Sequence, residues 1–252
     1  MCCDRHFCES PSLHYSAPSG GATVCAGCYL VLMGWSETRA VIALATVLAF
    51  ASASRAAMAA PNPAAWQAYE RHDYATAAKL YAEGARKGDR LAQFNYAMML
   101  LRGEAVAAER GEAVSWLRKA AEAGMMQAQY NLALLYERGT GVPKSLTDAT
   151  AWFERAAEQG HTDAQVSVAT QYFLGRGAPK DYARAAHWYR EAADGGDVGA
   201  QYILASMYEK GDGVARDLRL ALHWYTQAAH QGDAVALVKA RAVARQYQEE
   251  QR

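Results

Sequence analysis

The chain has 252 residues, 52% of them apolar and 21% charged, and its 26 basic and 26 acidic side chains cancel. That composition belongs to a globular chain and excludes wholesale disorder. Zero net charge, with no local basic stripe to replace a global field, argues against a nucleic-acid reader. Alanine inflates the apolar fraction while Phe and Trp number only five and six, which favours closely packed helices over a sheet of β-branched residues.

All five cysteines, Cys2, Cys3, Cys8, Cys25 and Cys28, precede residue 29, so the chain has two chemically different parts. From Met33 the sequence has the layout of a secretory signal peptide. Arg39 is the positive residue, Ala40 to Ala51 is the apolar run, and Ala57-Met58-Ala59 supplies a small-residue cleavage site, with Ala51-Ser52-Ala53 as an alternative. The 15 uncharged residues between Arg39 and Arg55 fall short of the roughly 20 that span a bilayer, so cleavage is expected over anchoring. Residues 33–59 are read as the signal peptide, and residues 1–32 as an extension upstream of a true start at Met33. A rival reading takes Cys3-x4-Cys8 and Cys25-x2-Cys28 as four thiolates for a tetrahedral zinc on a membrane-anchored protein. Removal of residues 1–59 leaves a chain of zero formal charge without cysteine. Such an exported protein is held by packing alone, and about 190 residues suffice for a continuous core.

A period of 36 residues organises the remainder. Trp116, Trp152, Trp188 and Trp224 fall at equal intervals, as do Gly88, Gly124, Gly160, Gly196 and Gly232, and the row Gln93, Gln129, Gln165 and Gln201. Units 90–125, 126–161, 162–197 and 198–233 align without a gap, preceded by a degenerate unit at 60–89 and followed by a half unit at 234–252. Within a unit, Ala128, Leu132, Leu135 and Tyr136 lie at helical spacing until Gly139-Thr140-Gly141. Ala149, Trp152, Phe153, Ala156 and Ala157 then repeat that spacing until Gly160. Each unit is therefore a helical hairpin. Asp89, Asp197 and Asp233 are placed to cap first helices, and Asp181, Asp217 and Ser145 with Asp148 to cap second helices. The alanine pairs 120/121, 156/157, 192/193 and 228/229 permit close helix approach, beside the larger Leu117, Phe153, Tyr189 and Tyr225. Ala234 to Arg252 begins as another first helix and turns polar, as a terminal cap must.

The run Ala128-Gln129-Tyr130-Asn131-Leu132-Ala133-Leu134-Leu135-Tyr136-Glu137-Arg138-Gly139-Thr140-Gly141-Val142, followed by Trp152 and Ala156-Ala157-Glu158-Gln159-Gly160, resembles a Sel-1-like repeat of the tetratricopeptide superfamily. The match is strong over 90–233, while the first unit, with Tyr74, Ala77, Ala78, Leu80 and Tyr81, is closer to an ordinary tetratricopeptide hairpin. Gly103-Glu104-Ala105-Val106-Ala107 departs from the pattern by lacking the second turn glycine. The resemblance implies an all-α fold, a right-handed α-solenoid of stacked hairpins, that binds proteins and scaffolds complexes without a cofactor.

The binding face is expected on the first helices. Phe94, Tyr130, Val166 and Tyr202 form one apolar row; Met98, Leu134, Thr170 and Ser206 a second; Leu101, Glu137, Phe173 and Glu209 a third, with Phe173-Leu174 standing where units three and five carry Glu-Arg or Glu-Lys. Phe94, Met98, Tyr130, Leu134, Phe173 and Tyr202 are the candidate anchors for a partner peptide or helix. Gln93, Gln129, Gln165 and Gln201 either present amides to a bound main chain or hydrogen-bond between helices. His187 and His223 share a register without a recurring carboxylate cluster, and are read as solvated rather than as metal ligands. Some cysteine-rich relatives are associated with β-lactam binding or hydrolysis. This chain has neither their cysteine pair in each repeat nor a Ser-x-x-Lys, Gly-x-Ser-x-Gly, His-Glu-x-x-His or phosphate-loop motif, so a non-enzymatic role is expected. The partners implied are proteins, with envelope proteins foremost and no nucleic acid or membrane span after cleavage. The expected location is the periplasm or the exterior.

Overall fold

The computed structural model describes residues 62–104 and 110–252. The signal segment, both cysteine pairs and the loop at Ala105–Ala107 lie outside them. Among the described residues there are helices α1 Pro63–Glu70, α2 Tyr74–Arg86, α3 Arg90–Arg102, α4 Arg110–Glu122, α5 Met126–Arg138, α6 Leu146–Glu158, α7 Thr162–Leu174, α8 Tyr182–Asp194, α9 Val198–Lys210, α10 Leu218–His230 and α11 Ala234–Glu250, and no strand. From α2 to α10 every helix is 13 residues long, whereas α1 has 8 and α11 has 17. Odd-numbered helices are the first, and even-numbered the second, of each hairpin. Each packs on its neighbours in chain order, which gives a helical-hairpin solenoid with local contacts throughout.

The helix starts follow the side chains. Asp89 Oδ1 accepts from the backbone N–H of Leu91 and Ala92, Asp197 Oδ1 from Ala200 at 2.7 Å, and Asp233 Oδ1 from Val235 and Ala236. Asp181, Asp217 and Ser145 do the same for the second helices. These contacts satisfy N–H groups that no helical carbonyl can reach. His161 substitutes through Nδ1, 3.4 Å from the Ala164 N–H, and Met125 makes no side-chain cap at all.

Two glycines tie consecutive repeats together. Gly177 and Gly213, the second turn glycines of their units, have φ of +79° and +70°. A Cβ at Gly177 would lie 2.3 Å from the Leu146 carbonyl oxygen, and one at Gly213 would lie 2.2 Å from that of Tyr182. The turn therefore lies against the start of the preceding repeat's second helix, an approach only a residue without Cβ permits.

The core runs between hairpins. Ala120, Ala156, Ala192 and Ala228 are fully buried, as are Leu117, Phe153 and Tyr225, with Tyr189 nearly so. Leu132, Val168 and Leu204 fill the opposing first-helix row, and Ala97, Ala133, Ala169 and Ala205 are buried beside them. The small residues let backbones approach while the larger ones occupy the remaining gaps, the alternation that native packing density demands. At the next position of the alanine row α11 carries Arg241, which is exposed. A long charged side chain therefore stands where the preceding repeats bury a methyl group. Lys239 pairs with Glu209, and Arg216 with Glu250 at 2.6 Å, to fasten α11.

Candidate functional site

Among the described residues, two of the clefts between consecutive first helices are walled by aromatic side chains. One, of about 290 Å³, is lined by Trp66 and Tyr69 of α1, Tyr81 of α2, and Phe94, Asn95, Met98, Met99 and Arg102 of α3. The other, of about 320 Å³, lies between α7 and α9 and includes Phe173, Leu174, Tyr189, Tyr202, Ile203, Ser206, Met207 and Lys210. Adding 108, three periods of 36, carries Trp66, Tyr81, Phe94, Asn95, Met98, Met99 and Arg102 onto Leu174, Tyr189, Tyr202, Ile203, Ser206, Met207 and Lys210. The two clefts are thus one feature of the repeat, formed twice.

The α7/α9 cleft has an aromatic floor. Phe173 meets Tyr182 and Tyr189 edge-on, with centroids 5.1 and 6.4 Å apart, and Tyr202 meets Tyr225 at 5.3 Å. The Tyr189 hydroxyl is 3.0 Å from Thr170 Oγ1. Burial raises its pKa above the ordinary tyrosine value while the Thr170 hydrogen bond opposes that rise, and the phenol stays neutral. Leu174 leaves 51% of its surface exposed at the rim. Thr170 and Asp212 complete the lining, so one cation, one carboxylate and the hydroxyls of Thr170 and Ser206 interrupt a mainly apolar and aromatic wall.

Elsewhere polar side chains bridge the same inter-helix space. Gln171 is buried and donates through Nε2 to Glu137 Oε1 across α5 and α7 at 3.0 Å. Between α9 and α11, Glu209 accepts from the Tyr225 hydroxyl at 2.7 Å and from Lys239 Nζ at 3.4 Å. Burial, and next the bonded Glu209 carboxylate, push the Tyr225 pKa strongly upward. Glu137 and Glu209 belong to the third first-helix row, in which Phe173 stands between them. Substitution of an aromatic for this carboxylate is what makes the α7/α9 space apolar.

Four of the six expected anchors, Phe94, Met98, Phe173 and Tyr202, line the clefts. Tyr130 and Leu134 line neither. Tyr130 is half-buried within its own hairpin, stacked on His161 at 4.3 Å and packed against Phe153. The glutamine row requires a correction. Gln93, Gln129, Gln165 and Gln201 are buried, and their Nε2 atoms donate to the carbonyls of Ala85, Ala121, Ala157 and Ala193 in the preceding second helix. Gln129 and Gln201 also accept from Gln159 and Gln231. These amides hold hairpin to hairpin and do not form a ladder open to a partner, because a buried amide must find its partners inside the protein. His187 and His223 are exposed, each against its neighbouring Trp. Trp66 and Tyr69 escaped the first-helix reading because α1 is short and out of the common pattern, and Tyr81 because it stands on α2, in the second-helix row of Leu117, Phe153, Tyr189 and Tyr225. Their signal is the i, i+3 spacing of Trp66 and Tyr69.

Among the described residues no cluster of His, Cys, Asp and Glu suits a metal ion, and no helix is long and apolar enough to cross a membrane.

A family model described as Sel1 repeat matches residues 68–89, 90–125, 127–161, 162–197 and 198–233. Among solved structures, a Sel1 repeat protein from Oxalobacter formigenes is 32% identical, over 71% of this chain and 74% of that one, with a TM-score of 0.66. A protective antigen of uropathogenic Escherichia coli strains, described as displaying an SLR fold, is 31% identical with a TM-score of 0.64. That match takes in 74% of this chain and 42% of the antigen. No curated protein matches.

Proposed function

Because this chain belongs to the Sel1 repeat family, whose members commonly scaffold protein–protein interactions, we propose that it is an exported adaptor or regulator that grips a partner peptide or helix between its first helices. The observation that carries this reading is the α7/α9 cleft, an aromatic-floored recess whose rim residue Leu174 is half-exposed. Large apolar side chains inserted in such recesses supply most of the energy of peptide docking. Export is supported by Arg39, the Ala40 to Ala51 run and the small residues at Ala57-Met58-Ala59, and an envelope partner would meet the protein there.

The test is affinity capture from solubilised envelope extract, with the Phe173→Ala/Leu174→Glu double variant beside the parent and circular dichroism of both. A partner retained by the parent and lost by the equally helical variant supports the reading. Equal capture by both removes the cleft from it. Amino-terminal sequencing of the native protein addresses export separately: a start at or near Ala60 is expected, and a start near residue 1 overturns it.

A further inference from the structure

The polar bridge between α5 and α7 has a counterpart two periods later that shows what it lacks. Adding 72 carries Glu137, Phe153, Ser167 and Gln171 onto Glu209, Tyr225, Lys239 and Val243. Glu209 accepts from the Tyr225 hydroxyl at 2.7 Å and from the Lys239 ammonium at 3.4 Å. At Glu137 both donors are gone. Phe153 has no hydroxyl, and the Ser167 hydroxyl donates to the Asp163 carbonyl of its own helix at 2.7 Å. Among the described residues the Glu137 carboxylate keeps one side-chain donor, Gln171 Nε2 at 3.0 Å, and no cation pairs with it.

Gln171 is in turn short of a partner. It is 4% exposed, and its Oε1 is buried without a hydrogen bond. Turning the amide over does not help, because its oxygen would then face the Glu137 carboxylate and its NH2 group would be the orphan. A buried polar atom of this kind calls for a donor. Arg138, next along α5, is exposed and forms no ion pair with Glu137 or with any other described carboxylate. Two acceptors, one of them an anionic and half-buried carboxylate, therefore stand together with no cation on them.

An ammonium brings three donors and a positive charge, which the pair lacks and which Lys239 supplies to Glu209. We propose that the Glu137–Gln171 bridge is the docking point for a lysine side chain of the partner peptide, its ammonium held by the Glu137 carboxylate and the Gln171 amide oxygen as Lys239 is held by Glu209. This rests on the adaptor reading above and names the chemistry of its partner. The two subsites share α7 as a wall. Gln171 reaches from it to α5, while Phe173 and Leu174 line the cleft towards α9, so one peptide can set a lysine on the first and an apolar residue in the second.

Random-peptide display on the full chain tests the proposal, with parallel selections on Glu137→Gln and Leu174→Glu. Glutamine keeps an acceptor for Gln171 Nε2 and removes the charge. Selection on the parent is expected to enrich peptides with a lysine near a bulky apolar residue, and selection on Glu137→Gln to lose the lysine preference. Fluorescence anisotropy with the best such peptide should show binding weakened about tenfold by Glu137→Gln, the loss of one charge-assisted contact. The peptide's Lys→Gln analogue should bind parent and variant alike, because the two changes remove the same contact. Gln171→Met, which installs the residue that Met207 places in the same register, should weaken the lysine peptide and leave its analogue unaffected; an unchanged affinity there would overturn the two-acceptor site. Additive effects of Glu137→Gln and the peptide substitution would overturn the proposal, as would a lysine preference that survives Glu137→Gln, and dependence on Leu174 would in either case leave the adaptor reading standing. Failure of any peptide to depend on Glu137 or Leu174 would sink both readings together. Circular dichroism of each variant confirms the fold.

Discussion

Replacement of Gly213 by alanine should cost far more than the same change at Gly232. Both glycines have positive φ, +70° and +97°, so each alanine incurs about 1–2 kcal/mol for the left-handed backbone. At Gly232 a Cβ meets nothing within 4 Å, and the backbone cost is the whole effect. At Gly213 the Cβ would lie 2.2 Å from both the carbonyl carbon and oxygen of Tyr182 and 2.7 Å from the Ala183 nitrogen. Backbone atoms cannot rotate away, so the turn must lift from the start of α8, and overpacking of this kind adds about 1–3 kcal/mol. The expected losses are thus about 1–2 kcal/mol for Gly232→Ala and about 2–5 kcal/mol for Gly213→Ala, with Gly177→Ala close to the latter because its Cβ faces the Leu146 carbonyl at 2.3 Å. Urea unfolding followed by far-ultraviolet circular dichroism gives the comparison directly. Equal losses at Gly213 and Gly232 would refute the argument that the second turn glycine exists for inter-repeat contact.

Further consequences concern the caps, the glutamines and the end of the array. The Asp217 carboxylate is held below its ordinary value of 3.8, foremost by the Leu220 N–H. A depressed folded pKa means stability that is present above the unfolded value and lost as pH falls through the folded one, so the melting-temperature gap between the parent and Asp217→Ala should be full at neutral pH and narrow from about pH 4 downward; a gap that widens in acid contradicts the cap. Gln165→Leu should cost about 1 kcal/mol, the loss of one hydrogen bond to an Ala157 carbonyl that keeps its bond from Gly160. Partner capture should be unchanged, and a capture defect without a stability loss would return the amides to the binding face. Arg241→Ala restores the alanine register beside exposed Leu237 and Val238, and concentration-dependent association in analytical ultracentrifugation should rise; association equal to the parent's would show that Arg241 does not keep that face unpaired.

The register explains which features were legible in advance. A residue type repeated every 36 positions reports an environment repeated every 36 positions, so the stacked hairpins and their caps at Asp89, Asp181, Asp197, Asp217 and Asp233 could be read from spacing, and the all-α solenoid from the family resemblance that spacing exposed. Local chemistry was sufficient there, because a cap or a glycine turn is completed by atoms within a few residues. The clefts obey a different logic. Tyr130 and Tyr202 share one row, yet His161 stacks over the first while the second lines a cleft, since the occupant of the facing position differs from repeat to repeat.

The sequence by itself determined the period, the helices and the apolar stripe that makes them stack. Tertiary structure alone decided that the glutamine row faces inward to alanine carbonyls, that Glu137 and Glu209 close two inter-helix spaces, and that Phe173 and the short α1 leave two others open. The physical reason is reach. Helix formation is settled over one turn of chain, whereas a cleft is the residue of packing between side chains about 18 to 36 positions apart, whose volumes and hydrogen bonds are fixed only when the hairpins meet.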